Sequence, residues 1–168
     1  MLSPEVKPLV PIIRVFINLF ISKLTKHGNK SLGFLVFYGF LTSLKQVYKC
    51  DPYLVLGKFF SNGALRFALV EYTTGGKKYQ VPIVADPMKA RHDFIGRFLK
   101  NALARTEASI VLKLLAEMED FFAKKGVSYK EKMQFYSIAR QNKMYAKTLY
   151  DAVGLKKKKV KIRNVTKN

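Results

Sequence analysis

Gly75-Gly76-Lys77-Lys78-Tyr79-Gln80-Val81-Pro82 separates two extended runs. Before it stands Phe67-Ala68-Leu69-Val70-Glu71-Tyr72-Thr73-Thr74, rich in the aromatic and β-branched residues that suit a pleated strand. After it, Tyr79 to Val84 forms a second such run. A glycine pair between them is hairpin-turn chemistry, because glycine reaches positive φ without a Cβ clash. Lys77 and Lys78 put positive charge at the tip. Pro82 cannot donate a ladder hydrogen bond, so the spacing predicts an edge or two-stranded ribbon over about residues 65–84 rather than a central strand. A projecting ribbon with a basic tip suits contact with a polyanion.

The surrounding composition agrees. A chain of 168 residues, 49% of them hydrophobic, has the volume and the apolar content for one folded core. It carries 31 Lys and Arg against 11 Asp and Glu, a formal net charge of +20. That much like charge on a small compact body repels itself, so a standing polyanionic partner is expected, nucleic acid before an anionic membrane.

Cys50 is the sole cysteine, which excludes a disulfide framework and a thiolate zinc site. His27 and His92 fall in no metal-ligand spacing. No cofactor and no small-molecule substrate are expected. Ser31 to Leu44 holds no charge but is shorter than the roughly 20 residues a membrane span needs, so buried helices are expected and membrane insertion is not. The start, with Glu5, three prolines by position 11 and one arginine before Lys23, does not resemble a signal or transit peptide.

Helical periodicity dominates the rest. Residues 1–11 form an arm closed by Pro8 and Pro11. Apolar residues at Ile12, Ile13, Phe16, Ile17, Leu19, Phe20 and Leu24 make one helical face. Gly28 stops that helix, and Ser31 is the expected cap of a second that runs to about Tyr48. Asp51-Pro52 and Asp86-Pro87 each pair a capping aspartate with proline at the first helical position, opening the third and fourth helices. The fourth turns Phe94, Ile95, Phe98, Leu99, Ala102 and Leu103 inward, with Lys89, Arg91, Arg97, Lys100 and Arg105 outward. Thr106 is expected to cap a fifth helix. Ser128-Tyr129-Lys130-Glu131 has the spacing of a capping box for a sixth helix reaching about Tyr150. The expected fold is therefore mainly α: about six helices over residues 12–150 with one inserted two-stranded β-ribbon. Residues 151–168 form a basic tail, where Lys156, Lys157, Lys158, Lys159, Lys161 and Arg163 stand without an acidic neighbour and would order only against an anion.

The chain offers little for catalysis. Glu117, Glu119 and Asp120 cluster on the fifth helix without a partner histidine, and solvated acids on a helix face explain them. No glycine-rich phosphate loop or nucleophile elbow is present. A binding protein, not an enzyme, is expected. Cations recur on several elements: Lys23, Lys26 and Lys30 about the first loop, the ribbon tip, the fourth helix, and Lys130, Lys132, Arg140, Lys143 and Lys147 on the sixth. Many such contacts neutralise phosphates and carry little sequence information. Tyr79, Tyr136 and Tyr145 suit either base stacking or packing.

Four pieces in order carry a family resemblance over roughly Val15 to Tyr150. They are Phe16-Ile17-Asn18 with Gly28-Asn29-Lys30-Ser31; the Gly75–Pro82 segment; Pro87-Met88-Lys89-Ala90-Arg91 with Arg97; and Ala139-Arg140-Gln141-Asn142-Lys143-Met144-Tyr145-Ala146. Together the chain resembles the small-subunit ribosomal protein S-seven family. The resemblance implies a helical domain that binds the 3′ major domain of small-subunit rRNA and nucleates head assembly. It also implies a ribbon near exit-site tRNA and mRNA, beside neighbouring head and platform proteins. By position, Lys77, Lys78 and Tyr79, with the turn at Gly75 and Gly76, belong to the ribbon. The rRNA-facing set is Lys23, Lys26, Lys30, Lys89, Arg91, Arg97, Lys100, Lys130, Lys132, Arg140, Lys143 and Lys147.

Three departures stand out. The arm holds only Lys7 as a cation, the rising strand carries Glu71 and threonines where family members are commonly basic, and the lysine-rich tail is additional. The tail is expected to replace the arm along RNA. Abundant Phe, Tyr, Lys, Ile and Asn without Trp suit an AT-rich organellar genome, so a mitochondrial ribosome is the expected location, with plastid or bacterial cytoplasm as alternatives. The competing functions are a non-ribosomal basic nucleic-acid-binding protein and a membrane-surface protein.

Overall fold

The computed structural model describes residues 10–25 and 28–153. Lys26, most of the arm and the tail cations Lys156, Lys157, Lys158, Lys159, Lys161 and Arg163 lie outside the described residues. Among the described residues the order is α1 (Val10–Leu24), α2 (Lys30–Tyr48), α3 (Pro52–Gly63), β1 (Phe67–Thr74), β2 (Lys77–Val84), α4 (Pro87–Leu103), α5 (Ile110–Phe122), α6 (Val127–Gln141) and α7 (Lys143–Val153). This is the expected mainly α bundle with one two-stranded antiparallel ribbon.

Two helix starts form as their sequences dictate. The Asp51 carboxylate accepts from the Tyr53 N–H at 2.9 Å, and Asp86 accepts from the Lys89 N–H at 3.2 Å, each beside a proline that needs no donor satisfied. Other boundaries differ from expectation. α1 begins at Val10, so Pro11 lies within its first turn, where proline is tolerated. Asn29, not Ser31, caps α2 by accepting from the Leu32 N–H. Ser109, not Thr106, precedes α5.

Ser128 and Glu131 form no capping box. Gly126 precedes α6, and the Ser128 N–H donates to Glu117 Oε1 at 2.9 Å, while Asn101 Nδ2 donates to Ser128 Oγ and to Glu131. A carboxylate from another helix thus takes the role the local pattern assigned to Glu131.

The expected sixth helix is two. Asn142 leaves helical geometry at φ −95° and ψ 7°, and its Nδ2 donates to the Gln80 carbonyl of the ribbon at 2.9 Å. A tertiary acceptor competes here with helix continuation, as short amide side chains allow.

The main core joins α1 to α5 around rings and aliphatic side chains that are essentially fully buried, among them Phe20, Phe40, Phe59, Phe98, Leu114 and Met118. Burying each such side chain stabilises the fold by roughly 1.5–3 kcal/mol. Phe59 is the hub, with five other phenylalanine rings centred 4.8–5.8 Å away. α3 can approach α4 because position 63 is glycine: a Cβ there would stand 2.0 Å from the Phe94 ring. Leu103, expected inside, is instead exposed at the end of α4.

A second, smaller cluster of Leu65, Phe67 and Ala139, with Leu69, Phe135 and Tyr136, seats the foot of the ribbon on α6. The register pairs Phe67 with Val84 and Thr74 with Lys77, closed by Gly75 and Gly76 at φ 56° and 74°. Two consecutive positive φ values are what a two-residue primed turn demands.

Candidate nucleic-acid interface

The acidic residues of the body are largely occupied by the protein itself. Arg105, expected outward, is instead the centre of a network: Nε donates to Glu107 at 2.8 Å, and Nη1 donates to Glu117 at 2.9 Å and Asp120 at 2.7 Å. Glu117 is fully buried, not solvated as the sequence suggested. Its second oxygen receives the Ser128 N–H at the α6 N-terminus, where the helix dipole also favours negative charge. Hydrogen bonds to Asp120, Glu107 and Glu117 raise the Arg105 pKa further above its already high value, and its guanidinium holds Glu107 below the usual carboxylate range. Asp51 and Asp86 cap helices, Glu131 binds Asn101, and Asp93 lies 3.5 Å from His92. Among the described residues, five acids with side-chain partners and two caps therefore leave most surface lysines unanswered.

Those lysines fall on several faces. Lys23 is exposed on the last turn of α1, close to α4 at Gly96, and Lys30 is exposed at the start of α2. Lys89 and Lys100 are exposed on α4, Lys130 and Arg140 on α6, and Lys143 and Lys147 on α7. Lys143 and Lys147 are one turn apart and share a face. Arg140 belongs to the preceding helix, across the break at Asn142. Side-chain alternation sends Lys77 and Lys78 to opposite faces of the ribbon.

Two expected cations are engaged internally. Arg97 lies 4.8 Å over the Phe135 ring, and burial lowers its pKa. Lys132 donates to the Asn62 carbonyl and stands 5.6 Å from the Phe121 ring, with burial again lowering its pKa. Tyr79 and Tyr145 stack on each other at 4.2 Å, while Tyr136 packs edge-on against Phe67. A hydrogen bond with Tyr145 raises the Tyr79 pKa above its ordinary value. In this structure these tyrosines pack protein against protein.

Three recesses gather polar groups around the ribbon. One of about 400 Å³ is lined by Lys89 and Arg97 together with Asp86 and Asp93. Beside it, one of about 370 Å³ brings Ser61, Arg66 and Arg91 together at the ribbon foot. The third, about 420 Å³, lies between the ribbon and the α6–α7 break, lined by Lys78, Tyr79 and Gln80 with Gln141 and Asn142. Nothing in the sequence singles out Arg66, a lone cation ahead of a strand; only folding sets it near Arg91. Asn142 and Gln141 were visible as part of a motif, without a role. Among the described residues no group of His, Cys, Asp and Glu could hold a metal ion, and no helix is long and apolar enough to cross a membrane.

Comparison with known proteins adds lineage to this geometry. The family model described as ribosomal protein S7p/S5e matches residues 3–143. The small ribosomal subunit protein uS7 of Rickettsia canadensis is 26% identical over 133 residues, covering 79% of this chain and 82% of that relative. Its counterpart from Rickettsia felis is 25% identical over 133 residues, covering 79% and 83%.

Proposed function

The chain belongs to the ribosomal protein S7p/S5e family and is a structural constituent of the small ribosomal subunit, and from that premise we propose how it grips RNA. The helical body binds the 3′ major domain of the small-subunit rRNA and nucleates assembly of the head. The ribbon tip, Gly75-Gly76-Lys77-Lys78, reaches toward exit-site tRNA and the mRNA path, with head and platform proteins beside it. The chain performs no chemistry of its own. One observation carries this reading: the body's acids cap helices and hold Arg105, whereas Lys30, Lys89, Lys100, Lys130, Lys143 and Lys147 remain exposed around the ribbon and helices. Such unanswered cations suit a phosphate backbone.

The test is chemical footprinting of small-subunit rRNA with and without the purified protein. Protection confined to the 3′ major domain is the expected result. Protection spread evenly over any RNA offered would favour a general nucleic-acid-binding protein instead. The tail cations are assigned to the same RNA: deletion from Leu155 onward lowers both affinity and salt slope, and an unchanged slope would sink that assignment. We also assign the protein to the mitochondrial ribosome on its composition, with 13 Phe, 9 Tyr and no Trp. Recovery only from cytoplasmic ribosomes would reject this.

A further inference from the structure

The first half of α2 shows chemistry opposite to that of an RNA-binding face. Leu32, Phe34, Leu35 and Tyr38 are 52%, 54%, 68% and 70% exposed. Their spacings of three and four residues make them neighbours on one helix surface. The opposite side, with Gly33 and Phe37, is buried. At Gly33 a Cβ would lie 3.1 Å from Thr25 Oγ1 and 3.3 Å from the Ile21 carbonyl, so the end of α1 closes that side. At Gly39 it would lie 3.3 Å from Val111, so α5 packs on α2 there, and Phe122 reaches Tyr48 further along. The start of α2 is thus held by α1 and α5 on its inner side and keeps an aromatic and aliphatic face in solvent. Contiguous exposed apolar patches of this kind mark protein contacts, and tyrosine is enriched at their centres.

We propose that this face docks another protein of the small subunit through an amphipathic helix, apolar on one side and acidic along its border. The charge around the patch selects that occupant. Lys30 stands at one end and Lys45 and Lys49 at the other, all exposed, and α2 contains no acidic residue. The described part of α1 and the first two turns of α5 contain none either. Acidic side chains bordering a partner helix would meet these lysines, giving steering and register while the apolar centre supplies contact area. An RNA backbone finds no cation between Lys30 and Lys45 to neutralise its phosphates. A second copy would bring two chains of charge +20 together. The proposal rests on membership of the small subunit and goes beyond it by naming a surface and the chemistry of its partner.

The experiment places a photoreactive benzoylphenylalanine at position 38 of the full-length tagged chain. Small subunits are isolated by sedimentation, irradiated and RNase-treated, and the crosslinked peptide is sequenced. The expected product joins position 38 to one protein of the same subunit, within a segment that has apolar residues at helical spacing and Asp or Glu beside them. Adding Leu35→Glu should lower the yield at least tenfold while the chain still enters subunits. Adding Leu35→Gln should lower it less, and Lys45→Glu severalfold. A crosslink to RNA, to lipid or to a second copy overturns the proposal. So does a lack of any crosslink in subunits that contain the chain, or a partner segment without acidic residues. A chain that never enters small subunits overturns the ribosomal reading itself, which separates the two failures.

Discussion

Around Phe59 five rings close within 6 Å, whereas at Gly75 and Gly76 an added Cβ would meet nothing within 4 Å. The bundle satisfies its own needs. Its aromatic side chains pack on one another, and its one fully buried carboxylate, among the described residues, is held by Arg105 and a helix N-terminus. The ribbon is held at its foot by Leu65, Phe67 and Ala139 and at mid-length by one tyrosine stack and one amide hydrogen bond. Beyond that its tip spends two lysines on no protein partner shown in the structure. Stability therefore resides in the bundle, and the cations it does not neutralise internally, on the ribbon and the lysine faces, are those proposed above to meet RNA.

The contrast breaks first at Phe59. Phe59→Ala should cost about 3–5 kcal/mol, from lost burial and the cavity left among five rings. Denaturant unfolding of the purified chain measures it. A loss below about 1 kcal/mol would mean that the cluster around Phe59 is not the source of stability.

Arg105→Met comes next. It leaves Glu117 buried with only the Ser128 N–H for company. Removing one partner of a buried pair is strongly destabilising, though Arg105 is a quarter exposed and water screens part of the effect, so about 2–3 kcal/mol is expected. The network also has an acid signature. Glu107 titrates below its unfolded value, so its stabilising contribution is present above the ordinary carboxylate range and is lost as pH falls through the lowered folded pKa. Arg105→Met should remove that part of the acid dependence, which melting curves between neutral pH and pH 3 would reveal.

These residues also mark how far sequence alone reaches. The ribbon was legible because Gly75-Gly76 and its flanking β-branched and aromatic runs are local signals. So were the starts of α3 and α4, since an aspartate before proline needs only its own turn. Ser128-Glu131 carried an equally good local signal and formed no box, because Glu117, eleven residues away, reached the Ser128 N–H first. The division at Asn142 and the inward roles of Arg97, Arg105 and Lys132 have the same cause. Each depends on an acceptor or ring brought in by tertiary packing, namely Gln80, Phe135, Glu117 and Asn62, which no spacing rule encodes. Cations could be counted from sequence, but not sorted into those the protein consumes and those it leaves outside.

On the ribbon side effects should be smaller and local. Tyr145→Ala removes the stack on Tyr79 and should cost about 0.5–1.5 kcal/mol. Hydrogen exchange should show faster opening of β2 amides while α3 and α4 keep their protection. Equal acceleration in both regions would show that α7 supports the bundle as well, and the contrast would weaken.

The smallest effect on stability is expected at the tip, and it is the most informative. Lys77→Ala with Lys78→Ala removes two exposed side chains at the end of a turn, so unfolding free energy should change by less than about 0.5 kcal/mol. RNA binding should respond differently. Each lysine that neutralises a phosphate contributes about 0.9 to the slope of log affinity against log salt, or about 0.7 on single strands. Because alternation points the two side chains to opposite faces, a ribbon lying flat on one strand would engage only one of them, and the double variant would lose one such increment. A ribbon inserted between two strands would engage both and lose two. Titrations at several salt concentrations on exit-site RNA fragments distinguish these cases, with each single variant showing which face is used. An unchanged slope with unchanged stability would leave the tip lysines without a phosphate partner and shift the whole grip to the helical faces.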